Sequence, residues 1–295
     1  MPIAFDFPYP SGSHSLELTV FLAVLAAAAM HAGWNALLKG GGDPFDTMAR
    51  FSLVGGAIAI VGVCFVKIPI AAAWPWLGLS LIIHAAYRFF LIAAYRAGDL
   101  TQVYPIARGT APLLTAIGTA VFLAETLPFL GYAGIAALAC GVFLMSMKGS
   151  RASGFDLHAV GYALCTSVAI SAYTMVDGYG ARLNGSAVSF ILWEMLGNSV
   201  IVGLLALYVR GPSVYASLKT EWPTALGAAA MSMTSYIIAT WAMTKAPIAL
   251  VAALRETGVL FAALIGAVLL AEPMTRWRWS AAAIIVLGVV LLRVG

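Results

Sequence analysis

Apolar residues run through almost the whole chain and are interrupted at regular intervals by short polar, glycine- or proline-containing stretches. The pattern divides into ten segments of about twenty residues, the length that an α-helix needs to cross a bilayer. The segments cover residues 16–38, 47–66, 75–97, 100–122, 126–147, 157–180, 187–209, 222–244, 247–270 and 275–294. This pattern predicts an all-α, polytopic membrane protein with ten transmembrane helices.

The second half of the chain repeats the first at a constant shift of 147 positions. The shift pairs Arg108 with Arg255, Thr110 with Thr257, Glu125 with Glu272 and Gly141 with Gly288. Because five crossings is an odd number, the second half must enter the membrane inverted relative to the first. Inverted repeats recur in secondary transporters, with the substrate site near the midplane between them. We therefore expect an N-terminal tail (1–15) and two five-helix repeats (16–150 and 151–295) around a central cavity.

Composition narrows the function classes. Hydrophobic residues make up 62% of the chain and charged residues 9%, so little sequence remains for a water-soluble catalytic or nucleotide-binding domain. No Walker-type phosphate loop is present, which indicates that a gradient and not direct ATP hydrolysis would drive transport. We expect a small-molecule transporter that is not an enzyme and that needs no cofactor, metal or nucleic acid. A channel or an intramembrane enzyme remains an alternative, but neither a charged ring nor a catalytic motif occurs at membrane depth.

Polar side chains lie inside the apolar segments, where they are costly and usually face a cavity or a partner. In the first half they cluster toward the side opposite the N-terminus, which we call side B. They are Trp34 and Asn35 in the first segment, His84, Tyr87, Arg88 and Tyr95 in the third, and Tyr104 and Arg108 in the fourth. Spacings of three and four place the residues of the third segment near one helix face.

In the second half the corresponding groups lie toward the N-terminal side, which we call side A. They are Tyr173 and Asp177 in the sixth segment, Tyr236 and Trp241 in the eighth, and Arg255 and Glu256 in the ninth. The two halves thus contribute polar belts at mirrored depths, as an inverted two-fold axis in the membrane plane requires.

These belts supply the predicted site. The candidate substrate-binding residues are Trp34, Asn35, His84, Tyr87, Tyr104, Arg108, Tyr173, Tyr236, Trp241 and Arg255, and the candidate proton-coupling residues are Asp177 and Glu256. Structural roles compete with these. The two repeated arginines could form bonds between helices, and His84 could be a core histidine. Glu125, at a segment end, favours a helix-end or gate-bonding role, and Glu194 and Asn198 could form a local pair.

The orientation of the chain is ambiguous by charge. Side A carries Lys67, Arg182, Lys245 and Arg293, whereas side B carries Lys39, Arg50, Arg96, Lys148, Arg151, Arg210, Lys219, Arg276 and Arg278. The positive-inside rule would therefore place side B in the cytoplasm. The even number of crossings puts both termini on the same side, whichever side that is.

Several features together resemble the EamA type of the drug/metabolite transporter (DMT) superfamily. They are the duplicated five-helix halves, the Leu-Ala-Glu at 123–125 and 270–272 after the fourth helix of each half, and the Gly-Val-X-Leu of the closing helices at 141–144 and 288–291. Trp34-Asn35 and Lys39, at the end of the first helix, are also similar to that family.

The resemblance implies a ten-helix basket with a central cavity, alternating access and export of small metabolites. Exporters of aromatic and neutral amino acids are the most similar members, and the aromatic candidates would suit such substrates because aromatic faces stack on rings and hold ammonium groups. It also implies a monomer in the lipid bilayer of a bacterial inner (plasma) membrane, with both termini in the cytoplasm. We follow the resemblance over the charge count because the loop charges are sparse.

Overall fold

The computed structural model describes residues 16–38, 43–98, 100–147, 156–216, 218–269 and 274–294. Eleven α-helices run through them: α1 (Leu18–Leu38), α2 (Pro44–Val63), α3 (Trp74–Ala97), α4 (Leu100–Phe122), α5 (Phe129–Met147), α6 (Leu157–Asn184), α7 (Ala187–Arg210), α8 (Leu218–Met243), α9 (Ile248–Arg255), α10 (Gly258–Leu269) and α11 (Arg276–Val294). The described residues contain no strand, so the predicted all-α class is confirmed. The tail 1–15, Lys39, Lys148, Arg151 and the whole 270–273 stretch with Glu272 lie outside the described residues.

Short polar residues begin several helices. Asp43 and Asp156 accept hydrogen bonds from the first backbone N–H groups of α2 and α6, and Ser186 does the same for α7. These N–H groups have no partner within the helix, so a side-chain oxygen satisfies them. The Asp46 backbone N–H is the main reason that the pKa of Asp43 lies below its ordinary value, with a smaller contribution from Arg210. The caps therefore fix where the membrane helices start.

The ninth predicted segment is not one helix, which corrects the sequence reading. It is divided into α9 and α10 at Glu256 and Thr257, where the backbone N–H groups turn back to carbonyls only three residues earlier. Gly258 starts α10 against α1, where an added Cβ would come within 3.2 Å of the Ala28 carbonyl oxygen. The apolar pattern alone could not reveal this break, because both pieces are apolar and together have the length of one span.

Nine spans in the described residues are long and apolar enough to cross a bilayer, with α9 and α10 counted as one. The helix missing from that count is α4, which has 23 residues but carries Pro105, Arg108 and Pro112. The protein is therefore a polytopic membrane protein, and α4 is the predicted segment in which an arginine and two prolines interrupt the apolar run. Breaks and prolines at membrane depth are tolerated where the backbone is enclosed by protein or lines a cavity.

The helix pairs follow a two-fold pattern. Exchanging the halves turns α1 into α6 and α8 into α3, and both pairs, α1 with α8 and α6 with α3, are in contact. The pairs α2 with α7 and α5 with α11 are also in contact, and the exchange leaves each of them unchanged. Atomic detail in the last pair agrees with this. A Cβ at Gly141 would meet the Ile285 nitrogen and the Ala281 oxygen, and one at Gly288 would meet the Leu138 nitrogen and the Gly134 oxygen. These contacts are related by the same shift of 147 positions that relates the sequences.

The centre of the molecule is α9, which packs against α1, α4, α5, α6, α8 and α11. Six of its eight residues are buried. A helix that is apolar on every face belongs in the interior. It carries Arg255 at its end and thereby holds a charge deep between the two halves.

We predict that Gly288→Ala lowers the stability of the detergent-solubilised protein by about 1–3 kcal/mol, because the new methyl group would force α5 and α11 apart. A Cβ at Gly288 would lie 2.8 Å from the Leu138 nitrogen. The matched control is Gly161→Ala in α6, where nothing lies within 4 Å, and where alanine should stabilise the helix by up to about 1 kcal/mol. Thermal unfolding of both variants measures the difference, and equal shifts would contradict the prediction.

Candidate functional site

A narrow cleft lies between α4, α6 and α9, where the two halves meet. Its polar lining consists of Arg108, Thr115, Tyr173, Thr174, Arg255 and Glu256. Alanine, proline and isoleucine side chains form the rest of the wall. The cleft brings the two repeated arginines, Arg108 and Arg255, to one place.

Arg108 and Glu256 join the halves across this cleft. Arg108 Nη2 lies 3.1 Å from Glu256 Oε1, and both side chains are largely shielded. Each partner also keeps a buried polar atom without a hydrogen bond in the described part of the chain, namely Arg108 Nε and Glu256 Oε2. A buried polar atom without a partner is costly. The pair therefore presents one open donor and one open acceptor.

Arg255 differs from Arg108. Its guanidinium lies over the ring of Tyr236, 5.3 Å from the centroid, and within the described ranges no carboxylate lies at ion-pair distance from it. A cation on an aromatic face is only partly compensated. Tyr104 lies beside Arg108 and is electrostatically linked to it. The cleft thus contains one paired and one unpaired arginine.

Aromatic rings continue from the cleft toward α3. The His84 imidazole stacks on Tyr173 with ring centroids 4.2 Å apart, and Tyr87 meets the same tyrosine edge-on at 5.7 Å. The Tyr236 hydroxyl donates a hydrogen bond to Asp177 Oδ2. The structure therefore brings together nine of the twelve candidates: His84, Tyr87, Tyr104, Arg108, Tyr173, Asp177, Tyr236, Arg255 and Glu256.

The other three candidates lie apart. Trp34 stacks on Phe51 and donates its indole N–H to His31. Trp34 is therefore linked to the cleft through His31, which interacts electrostatically with Arg108. Asn35 is exposed and donates to the His31 carbonyl of its own helix. Trp241 is 36% exposed, and no described contact joins it to the cluster. Helix-face reasoning places residues on a side of a helix but cannot show which neighbour that side meets.

Sequence reasoning missed the role of two residues on α7. Glu194 and Asn198 are not a local pair, because Asn198 accepts a 2.7 Å hydrogen bond from Arg88 and Glu194 lies 3.7 Å from the His84 imidazole. Ser80, fully buried, also lies 3.3 Å from that imidazole through its hydroxyl oxygen. The only available signal was a carboxylate in an apolar segment, which by itself indicates a functional group.

On side A, an ion pair between Glu125 of the first half and Arg182 of the second half joins the two halves. The second Glu125 oxygen accepts a hydrogen bond from the Ile248 N–H at the start of α9, and Arg182 also donates to the carbonyls of Met243 and Ala246. Glu125 thus has the helix-end role that its position indicated. We call this group the side-A latch; it joins the ends of α4, α6 and α8 to the first turn of α9.

The fold and the cleft define a multi-pass helical membrane protein of the kind that moves solutes. Residues 157–294 match the EamA-like transporter family, so this part of the chain is an EamA-like transporter domain. This match supports a DMT-type membrane transporter, and it confirms the resemblance seen in the sequence for the second half of the chain. Members of this family are transporters and not enzymes, which fits a non-enzymatic protein.

Comparison with solved structures supports the fold only. A protein of known crystal structure is similar to this chain with a TM-score of 0.74 and 19% identity, over 92% of this chain and 94% of the other. In all, 29 solved chains match. No curated protein matches the sequence. The likeness over nearly the full length extends the similarity to the first half, which the family match does not cover.

We predict that Glu125→Ala lowers stability by roughly 3–5 kcal/mol, because it leaves the buried Arg182 cation without its carboxylate. It also removes the acceptor of the Ile248 N–H. The control is Asp43→Asn, which keeps a capping side chain and removes only a solvent-exposed contact with Arg210. Thermal unfolding in detergent should show a large loss for the first variant and little change for the second. A small loss for Glu125→Ala would mean that the side-A latch is not needed for folding.

Proposed function

We propose that the protein is a secondary transporter that exports amino acids, aromatic and neutral ones in particular, by alternating access through the cleft between α4, α6 and α9. One observation carries the proposal: the cleft presents an unpaired cation beside an ion pair whose two partners each have an open hydrogen-bonding position. A zwitterion is the small molecule that complements such an arrangement.

The charges match the two ends of an amino acid. A substrate carboxylate would accept from Arg255 and from the open Nε of Arg108, and planar guanidinium groups suit carboxylates particularly well. The ammonium group would donate to the open Oε2 of Glu256. Binding would thus supply partners to atoms that lack them in the empty cleft, which is a favourable exchange in a poorly hydrated site.

The walls support a substrate with an uncharged side chain. Ala111, Pro112, Ile170 and Ala252 line the cleft with apolar surface, and no charged group of the lining is left over for a charged side chain once both ends of the zwitterion are bound. Tyr173, in the lining, offers a ring on which an aromatic side chain could stack. Tyr87 and His84 lie directly behind it.

The side-A latch supports alternating access. It ties the two halves at the side-A end of the cleft, so opening toward side A requires that the ion pair of Glu125 and Arg182 separates. We propose that the repeats 16–150 and 151–295 rock about their two-fold axis, with the proline-containing α4 and the broken α9–α10 as moving elements. We also propose a monomer in a bacterial inner membrane with both termini in the cytoplasm, so that this conformation would be closed to the cytoplasm.

We expect saturable flux of labelled phenylalanine or leucine in proteoliposomes, and a strong loss of apparent affinity in Arg255→Gln. Since a hydrogen bond to a charged group contributes about 1.5–3 kcal/mol, half-maximal flux should need at least roughly tenfold more substrate. Arg255 is the better test than Arg108, because its removal leaves no buried carboxylate without its ion-pair partner.

The control is Arg96→Gln, which changes an exposed arginine at the end of α3, away from the cleft, and should keep wild-type affinity. Unchanged affinity in Arg255→Gln would remove the cleft as the substrate site. Absence of flux for every amino acid in a neutral and aromatic panel would overturn the substrate class and would leave another metabolite as the cargo.

A further inference from the structure

A second polar group lies next to the cleft and has no part in the binding of the zwitterion. It contains Ser80 and His84 of α3, Asp177 of α6, Glu194 of α7 and Tyr236 of α8, and we call it the acid–histidine cluster. Glu194 Oε1 lies 3.7 Å from His84 Nδ1. The Ser80 hydroxyl oxygen lies 3.3 Å from the same nitrogen, and Ser80 also faces Asp177. Both carboxylates are buried to 1% exposure.

Each of the two carboxylates has an oxygen with no hydrogen-bond donor in the described part of the chain, Asp177 Oδ1 and Glu194 Oε1. Arg88, which faces Glu194, donates to Asn198 and to a backbone carbonyl and not to either acid. Burying two carboxylate oxygens without donors is costly. A proton bound at one of these oxygens would supply the missing donor.

We propose that the acid–histidine cluster is a proton-binding site, and that it takes up a proton when a substrate carboxylate occupies Arg255, so that proton and substrate cross the membrane in the same direction. The inference rests on the proposed function, because it needs a carboxylate substrate in the cleft. It assigns to Glu194 a role in coupling that its position in the sequence did not indicate.

Two contacts link the cluster to the cleft. Tyr236 donates to Asp177 through its hydroxyl and lies under the Arg255 guanidinium with its ring. Tyr173 lines the cleft and stacks on His84. A change of charge at Arg255 is therefore felt at both carboxylates through a short, poorly hydrated path.

A charge count gives the direction of the coupling. In the empty protein, Arg88 and Arg255 balance Asp177 and Glu194, while Arg108 and Glu256 balance each other. A substrate carboxylate at Arg255 neutralises the cation nearest to Asp177, whereas the ammonium group lies farther away, at Glu256. The cluster then carries an unbalanced negative charge, which a proton from water compensates.

Among the described residues, the helices packed against the cluster supply no further positive charge to compensate the two carboxylates. The titratable and charged groups that face the cluster are Tyr87 and Arg88 from α3, Tyr173 from α6 and Arg255 from α9. Arg88 is already counted, and the two tyrosines carry no positive charge.

The test uses the full-length protein in weakly buffered proteoliposomes loaded with phenylalanine, or with the neutral amino acid of highest flux. Net efflux and external pH are followed together with a pH-sensitive dye. Exchange of labelled for unlabelled amino acid at equal pH is measured in parallel, because exchange needs no net movement of protons. We expect about one proton to leave with each substrate in the wild type, and acid inside the vesicles to accelerate efflux.

Glu194→Gln and Asp177→Asn should each keep amino-acid exchange while the proton-to-substrate ratio falls toward zero. Glu194→Asp, which keeps a titratable group, should retain coupling and guards against the case in which the amide variants do not fold. Glu221→Gln, at a half-exposed acid that pairs with Arg50, should keep both exchange and coupling.

The outcomes separate the two proposals. Exchange by the wild type without proton movement overturns the coupling and leaves the amino-acid transporter intact. Proton movement that persists in both Glu194→Gln and Asp177→Asn overturns the assignment to this cluster. Absence of exchange for every amino acid overturns the proposed function and the coupling with it.

Discussion

The cost of charge inside the membrane is the constraint on which the rest of the structure depends. The described residues include three cations and three anions at depth, and the bilayer solvates charge poorly. They are Arg88, Arg108, Arg255, Asp177, Glu194 and Glu256. The fold responds by placing all six between the two halves. Arg108 and Glu256 meet across that boundary, so electrostatic compensation helps to hold the repeats together at the cleft that we propose as the substrate site.

Tight and loose contacts between the halves occur at different helix pairs. α5 and α11 approach so closely that a methyl group cannot fit at Gly141 or Gly288, and the side-A latch fastens α4 to the start of α9. The cleft lies beyond the latch, where α4 contains prolines and α9 gives way to α10. Rigid packing at one boundary and interrupted helices at another are what a rocking motion requires, since packed interfaces move as units.

The proposed substrate site and the proposed proton site are neighbours in one arrangement. Tyr173 lines the cleft and stacks on His84 of the acid–histidine cluster, and Tyr236 belongs to that cluster and lies under Arg255 of the cleft. A structural role for Arg108, Arg255 or His84, such as a bond between helices, is compatible with a role in transport. A bond between helices that is incompletely satisfied, such as that of Arg108, holds the protein together and leaves a position for a ligand.

The sequence by itself determined the number and position of the apolar segments, the internal repeat and the transporter class, because hydropathy, length and a constant shift are local or periodic properties. It also identified nine residues that do come together, since buried charge is visible in an apolar segment. Only the tertiary structure decided that α9 and α10 are separate, that Glu194 faces His84 and not Asn198, and that Asn35 and Trp241 lie apart from the cluster. Those features depend on which helix packs against which face, and inter-helix contacts leave no periodic signal in one chain.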